Sequence, residues 1–146
     1  MKINHGIISV ILISVALAIG FFAIYQSSVL FSLGFVAVIL TAVLILSVTY
    51  CAKCQVRNNC NHYIFGKVSE FLSKPNPEEY NLTDNLITAV FVGVVVIYPQ
   101  FWLIENTLLF VAYWSIIAIT GIDVLFFVCN KCKNKKCMLC RNKLEL

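Results

Sequence analysis

Four long apolar blocks constrain this chain more than anything else in it. They run from Gly6 to Tyr25, Ser27 to Cys51, Asn85 to Ile104 and Asn106 to Val128, and Asp123 is the one charged residue inside them. Each holds about 20 residues or more, which at 1.5 Å of rise per residue lets a helix cross the roughly 30 Å hydrocarbon core of a bilayer. A soluble protein can bury one such helix. Four of them in 146 residues, with 60% hydrophobic and 12% charged content, leave too little polar surface to hold the chain in water. The expected fold class is an all-α membrane protein with four transmembrane helices arranged as two tandem hairpins, with the lipid bilayer as its principal partner.

The first block also has features of a cleavable signal peptide. Lys2 is a basic n-region, and Ala16, Leu17 and Ala18 resemble a small-residue cleavage site. Its apolar run continues past Ala18 through Phe21, Phe22 and Ile24, so a retained helix is expected.

Orientation follows from the basic residues. The tips at Gln26 to Ser28 and at Glu105 to Thr107 carry no Lys or Arg, whereas all 11 basic residues lie at the other end of the blocks. They are Lys2, then Lys53, Arg57, Lys67 and Lys74 in the central loop, then Lys131, Lys133, Lys135, Lys136, Arg141 and Lys143 in the tail. The positive-inside rule places both termini and the central loop in the cytosol, in a plasma or cytoplasmic membrane. The basic tail is also suited to anionic lipid heads. No aromatic-rich recognition module accompanies these charges, so nucleic-acid binding is not expected.

Each hairpin runs at once into a cysteine cluster. The first reads Cys51-Ala-Lys-Cys54-Gln-Val-Arg-Asn-Asn-Cys60-Asn-His62, the second Cys129-Asn-Lys-Cys132-Lys-Asn-Lys-Lys-Cys137-Met-Leu-Cys140. The two are offset by 78 residues (129 minus 51) and share a plan of hairpin, Cys-x2-Cys, short spacer and second ligand pair. This internal repeat divides the chain into 1–83, with a mixed Cys/His cluster, and 84–146, with an all-Cys cluster and the basic tail. Between them, Ile64, Phe65, Val68, Phe71 and Leu72 share one helical face, the pattern of an interfacial amphipathic helix. Lys74 to Glu79, with two prolines, ends it, and Thr83 or Asp84 is positioned to cap the third helix. The Asn81-Leu82-Thr83 sequon falls on the cytosolic side and is expected to go unused.

Seven cysteines in a reducing compartment point away from disulfides and toward metal. With His62 they make eight candidate ligands: Cys51, Cys54, Cys60 and His62 in one set, and Cys129, Cys132, Cys137 and Cys140 in the other. Four soft or borderline donors form the closed tetrahedral shell of structural Zn2+, and one tight turn over Cys-x2-Cys aims two sulfurs at a single ion. Such sites carry about −2 with four thiolates, or about −1 with three thiolates and a neutral histidine, which the surrounding Lys and Arg offset. An iron-sulfur cluster is the alternative, because Cys132-x4-Cys137-x2-Cys140 has the local spacing of plant-type two-iron ferredoxins. Palmitoylation accounts for Cys51 or Cys129 alone but not for the repeated spacing. His5 is a reserve ligand on the same side, although a solvated or interfacial histidine is the simpler expectation.

Asp123 lies six residues before Cys129, roughly 9 Å inward along a helix. A carboxylate at that depth needs a hydroxyl or lysine partner, or else a role with a proton, a cation or a partner subunit. Its counterpart one repeat earlier is Ile45, so any such role belongs to one half. Pro99 is expected to kink the third helix near its outer end, and Tyr98, Trp102 and Trp114 to anchor the outer interface.

No Walker or dinucleotide-binding glycine pattern, His-Glu-x-x-His, serine elbow or haem-attachment motif occurs, which disfavours an ordinary hydrolase or ATPase. The functional expectation is a scaffold or accessory subunit, associating with other membrane subunits or with itself and clipped by two structural metal sites. The alternatives are a membrane redox protein exchanging electrons with a quinone or partner through iron-sulfur clusters or reactive thiols at the cytosolic face, and a metal transporter or sensor.

Overall fold

The computed structural model describes residues 5–54, 68, 71 and 80–129. The cluster residues beyond these, most of the interfacial segment and the basic tail lie outside the described residues.

Every extended element described is helical. The chain forms α1 (His5–Ser27), α2 (Val29–Ile45) running on as a π-helical segment π1 (Leu46–Cys51), α3 (Leu82–Ile97), the short α4 (Gln100–Leu103), and α5 (Thr107–Asp123) running on as π2 (Val124–Val128). Taken together these make four helical spans long and apolar enough to cross a membrane: His5–Ser27, Val29–Thr49, Leu82–Leu103 and Thr107–Val128. Their outward faces are apolar too. Leu33, Leu40, Val90 and Ile122 are all exposed, a surface that water would penalise at about 25 cal/mol per Å2 and that lipid would not.

The two hairpin tips are one residue and three residues long, Ser28 and 104–106. A single extended residue, Ser28 (φ −161°, ψ 125°), separates α1 from α2. At the other tip Asn106 caps α5, its side-chain Oδ1 accepting from the Leu109 N–H at 3.3 Å, which satisfies one of the donors a helix start leaves unpaired. The third span begins earlier than its block. Asn81 is the N-cap of α3, and Asp84 is the third helical residue, its Oδ2 accepting the Asn81 backbone N–H at 3.0 Å. Asp84 thus acts in the reciprocal half of a capping box and is not the cap itself.

Helix α1 lies at the centre of the bundle, packed against α2, α4 and α5, while α2 packs against α3. The reason is legible along one face of α1, where the buried residues include Gly6, Ser9, Ala16, Gly20 and Ala23. Lipid tails offer no hydrophobic drive for one helix to prefer another, so close backbone approach across small residues is what holds membrane helices together. Ala16 and Ala23 make a buried cluster with Leu103 and Tyr113.

Pro99 interrupts the third span as expected, with α3 ending at Ile97 and α4 starting at Gln100. The ring is fully buried against Gly20, where an added Cβ would come within 3.1 Å of the Pro99 Cβ. The aromatic residues nearby pack on one another. Tyr98 stacks with Phe35 and Trp102, with centroids at 5.4 and 5.8 Å, and its hydroxyl donates to the Phe31 carbonyl at 3.2 Å. Trp114 Nε1 donates to Gln100 Oε1 at 3.0 Å.

Candidate functional site

The end of the bundle opposite the tips gathers the N-termini of α1 and α3 and the C-termini of π1 and π2, and with them the start of each cysteine cluster. The second π segment starts at Val124 and the first at Leu46, the same 78-residue offset that separates Cys129 from Cys51. In each, a backbone N–H reaches back five residues: Ala52 to the Ser47 carbonyl at 3.1 Å, and Cys129 to the Val124 carbonyl at 2.8 Å. A π turn holds one more residue than an α turn and so re-aims whatever follows it, and such turns recur at functional sites. In π1 the hydroxyls of Ser47 and Thr49 also bond the carbonyls four residues back, each at 2.7 Å, the kind of back-bonding that bends helices.

Beyond π1 the chain turns tightly, the Cys54 N–H donating to the Cys51 carbonyl at 3.1 Å. Cys51, Cys54 and Cys129 are half-buried, beside the buried Ala52 and Val128. The other five candidate ligands, Cys60, His62, Cys132, Cys137 and Cys140, lie outside the described residues. Among the described residues, no three His, Cys, Asp or Glu side chains come together as a group able to hold a metal.

Two polar contacts tie this end together. Lys53, between Cys51 and Cys54, places its Nζ 2.6 Å from Asp84 Oδ2 at the start of α3. Both side chains are largely buried, 10% and 14% exposed, so the pair is less screened than an ordinary surface bridge. The second contact surrounds Asp123. Its Oδ1 lies 2.8 Å from His5 Nδ1, and its Oδ2 accepts from the Ser9 hydroxyl at 2.6 Å. Ser9 Oγ is also 3.0 Å from the His5 carbonyl. The imidazole stacks on Phe127, with centroids 4.5 Å apart and planes 9° from parallel. The carboxylate inside the fourth span is therefore hydrogen-bonded on both oxygens, which offsets much of its desolvation cost.

His5 is thus neither simply solvated nor simply interfacial, as its sequence position suggests. Its partner is 118 residues away. Ser9 and the pairing of Lys53 with Asp84 were not legible as site features. The signal for Ser9 is a serine on the small-residue face of α1 at the end of the bundle where Asp123 lies, whereas the Lys53–Asp84 pair has no such signal in the sequence. No family model, no curated protein and no solved structure matches this chain.

Proposed function

We propose that this chain is a small multipass membrane scaffold or accessory subunit in which two juxtamembrane metal sites, each a structural Zn2+, clip the helix ends together on the cytosolic face. The observation that carries it is the matched launch of both cysteine clusters: a π turn, then Cys51 or Cys129, at one end of the bundle and 78 residues apart. The tight turn between Cys51 and Cys54 supports a metal-directed pair, and the four-donor composition of each set supports zinc. The cytosolic side rests on the 11 basic residues flanking this end and their absence from the tips. In this reading the first site draws on Cys51, Cys54, Cys60 and His62, and the second on Cys129, Cys132, Cys137 and Cys140.

Metal analysis of anaerobically purified protein, read beside its visible spectrum, tests the proposal. Two equivalents of zinc per chain and no visible absorption are expected. Absorption that bleaches on reduction transfers the function to the redox class, because zinc has neither colour nor redox chemistry. Folded protein containing neither zinc nor iron overturns the metal sites altogether.

A further inference from the structure

The two polar contacts at the cysteine end are reciprocal. Lys53 belongs to the first hairpin and is gripped by Asp84, in the first helix of the second hairpin. Asp123 and Phe127 belong to the second hairpin and are gripped by His5 and Ser9, in the first helix of the first hairpin. Each cysteine-bearing helix end is therefore held by the hairpin to which it does not belong. The grips are close to the thiols in sequence: Lys53 lies between Cys51 and Cys54, and Phe127 two residues before Cys129.

We propose that Asp84 and His5 are positioning residues for the two clusters: the Asp84–Lys53 pair orients the Cys51/Cys54 turn, and the His5–Asp123 pair orients the end of π2 that carries Cys129. This rests on the metal reading above and adds to it that the affinity of each site depends on a residue of the opposite hairpin. In this reading neither Asp84 nor His5 is a ligand. Each acts by fixing the helix end from which the thiolates extend, as partners outside a coordination shell do when they fix ligand geometry.

The π turns explain why such fixing is needed. A π turn is a rare departure from α-helical geometry, and helix ends are where the chain frays. An external grip selects one orientation of it. In the first cluster the grip has a second anchor, because Asp84 Oδ2 also accepts the Asn81 backbone N–H and so is fixed to the start of α3.

The test is a Co2+ titration of full-length, metal-stripped protein in lipid nanodiscs, read by thiolate charge-transfer and d–d absorption. The two sites are separable in the spectrum because one holds an imidazole where the other holds a fourth thiolate. Asp84→Asn and Lys53→Gln are each expected to weaken cobalt binding at the mixed site about tenfold and leave the all-cysteine site unchanged. Lys53→Gln keeps the Asp84 contact to Asn81 and covers the case in which Asp84→Asn fails to fold. His5→Gln and Asp123→Asn are expected to do the converse, and Asp84→Glu to restore the mixed site. Tyr98→Phe, which loosens the far end of the bundle, is expected to leave both sites unchanged.

If the wild type takes up two cobalt ions and these variants titrate like it, the positioning role falls and the metal sites stand. Equal weakening of both sites in every variant, Tyr98→Phe included, also overturns it, since that is general loosening. Weakening by His5→Gln but not by Asp123→Asn makes His5 a ligand and overturns its positioning role. A wild-type chain that binds no cobalt overturns the metal reading and the positioning role together.

Discussion

Asp123 Oδ1 lies 2.8 Å from His5 Nδ1, joining the last turn of α5 to the first turn of α1. The contact ties the first span to the fourth at the end opposite the hairpin tips, the end where Lys53 also pairs with Asp84. Because Asp123 is 13% exposed and His5 24%, removing either leaves a partly desolvated polar group with one partner fewer.

Asp123→Ala is accordingly expected to destabilise the protein by about 2 kcal/mol, the range for lost hydrogen bonds to a charged group. A double-mutant cycle with His5→Ala should return a coupling energy of about 1 kcal/mol, typical of polar pairs between membrane helices. Thermal unfolding in detergent micelles measures both. Additive losses would mean that the pair does not interact in the folded state.

Asp84 accepts from both Lys53 and the Asn81 backbone N–H. Asp84→Ala is therefore expected to cost more than Lys53→Ala, by about 1 kcal/mol, because it removes part of a helix cap as well as the ion pair. Unfolding midpoints of the two variants compared under one detergent condition check the order.

Glycines 20 and 93 should respond in opposite directions. A side chain at Gly20 meets the buried Pro99 ring at 3.1 and 3.2 Å, whereas nothing lies within 4 Å of a Cβ at Gly93. Gly20→Val is expected to destabilise by about 1–3 kcal/mol through overpacking. Gly93→Ala is expected to stabilise by up to about 1 kcal/mol through helix propensity. The melting temperatures of the two variants should bracket the wild type.

Tyr113 is fully buried and its hydroxyl donates to the Val96 carbonyl at 3.3 Å, linking the fourth span to the third. Tyr113→Phe keeps the ring among Ala16, Ala23 and Leu103 and removes only that bond. A loss of about 1 kcal/mol is expected, and Tyr113→Ala should cost about 3 kcal/mol or more by leaving a cavity. Chemical denaturation of the two variants separates the hydroxyl from the ring.

The four apolar blocks were legible in the linear order of residues because lipid imposes a local rule: a helix that crosses it must be apolar over nearly its whole length, and inside the blocks only Asp123 breaks that rule. The interruption at Pro99 was equally local, since a residue without an N–H must break the ladder wherever it falls. Helix ends were less legible. Asn81 caps α3 where Thr83 or Asp84 had the same chemistry to offer, and Asp84 instead accepts from the Asn81 N–H and from Lys53. The π turns were not legible, because Val124–Val128 is apolar like the helix it continues and the Ser and Thr of Leu46–Cys51 are residue types that α2 also carries.

The cysteine pattern, the basic asymmetry and the 78-residue offset are properties of the chain alone, and they define which residues are candidates for metal. What brings His5 to Asp123, and Asp84 to Lys53, is the packing of α1 on the fourth span and of the second span on the third. That packing depends on small residues allowing close approach, and on which hairpin lies beside which. A residue's chemistry announces that it needs a partner. Only the tertiary structure decides, across 118 residues in one case and 31 in the other, which partner it has.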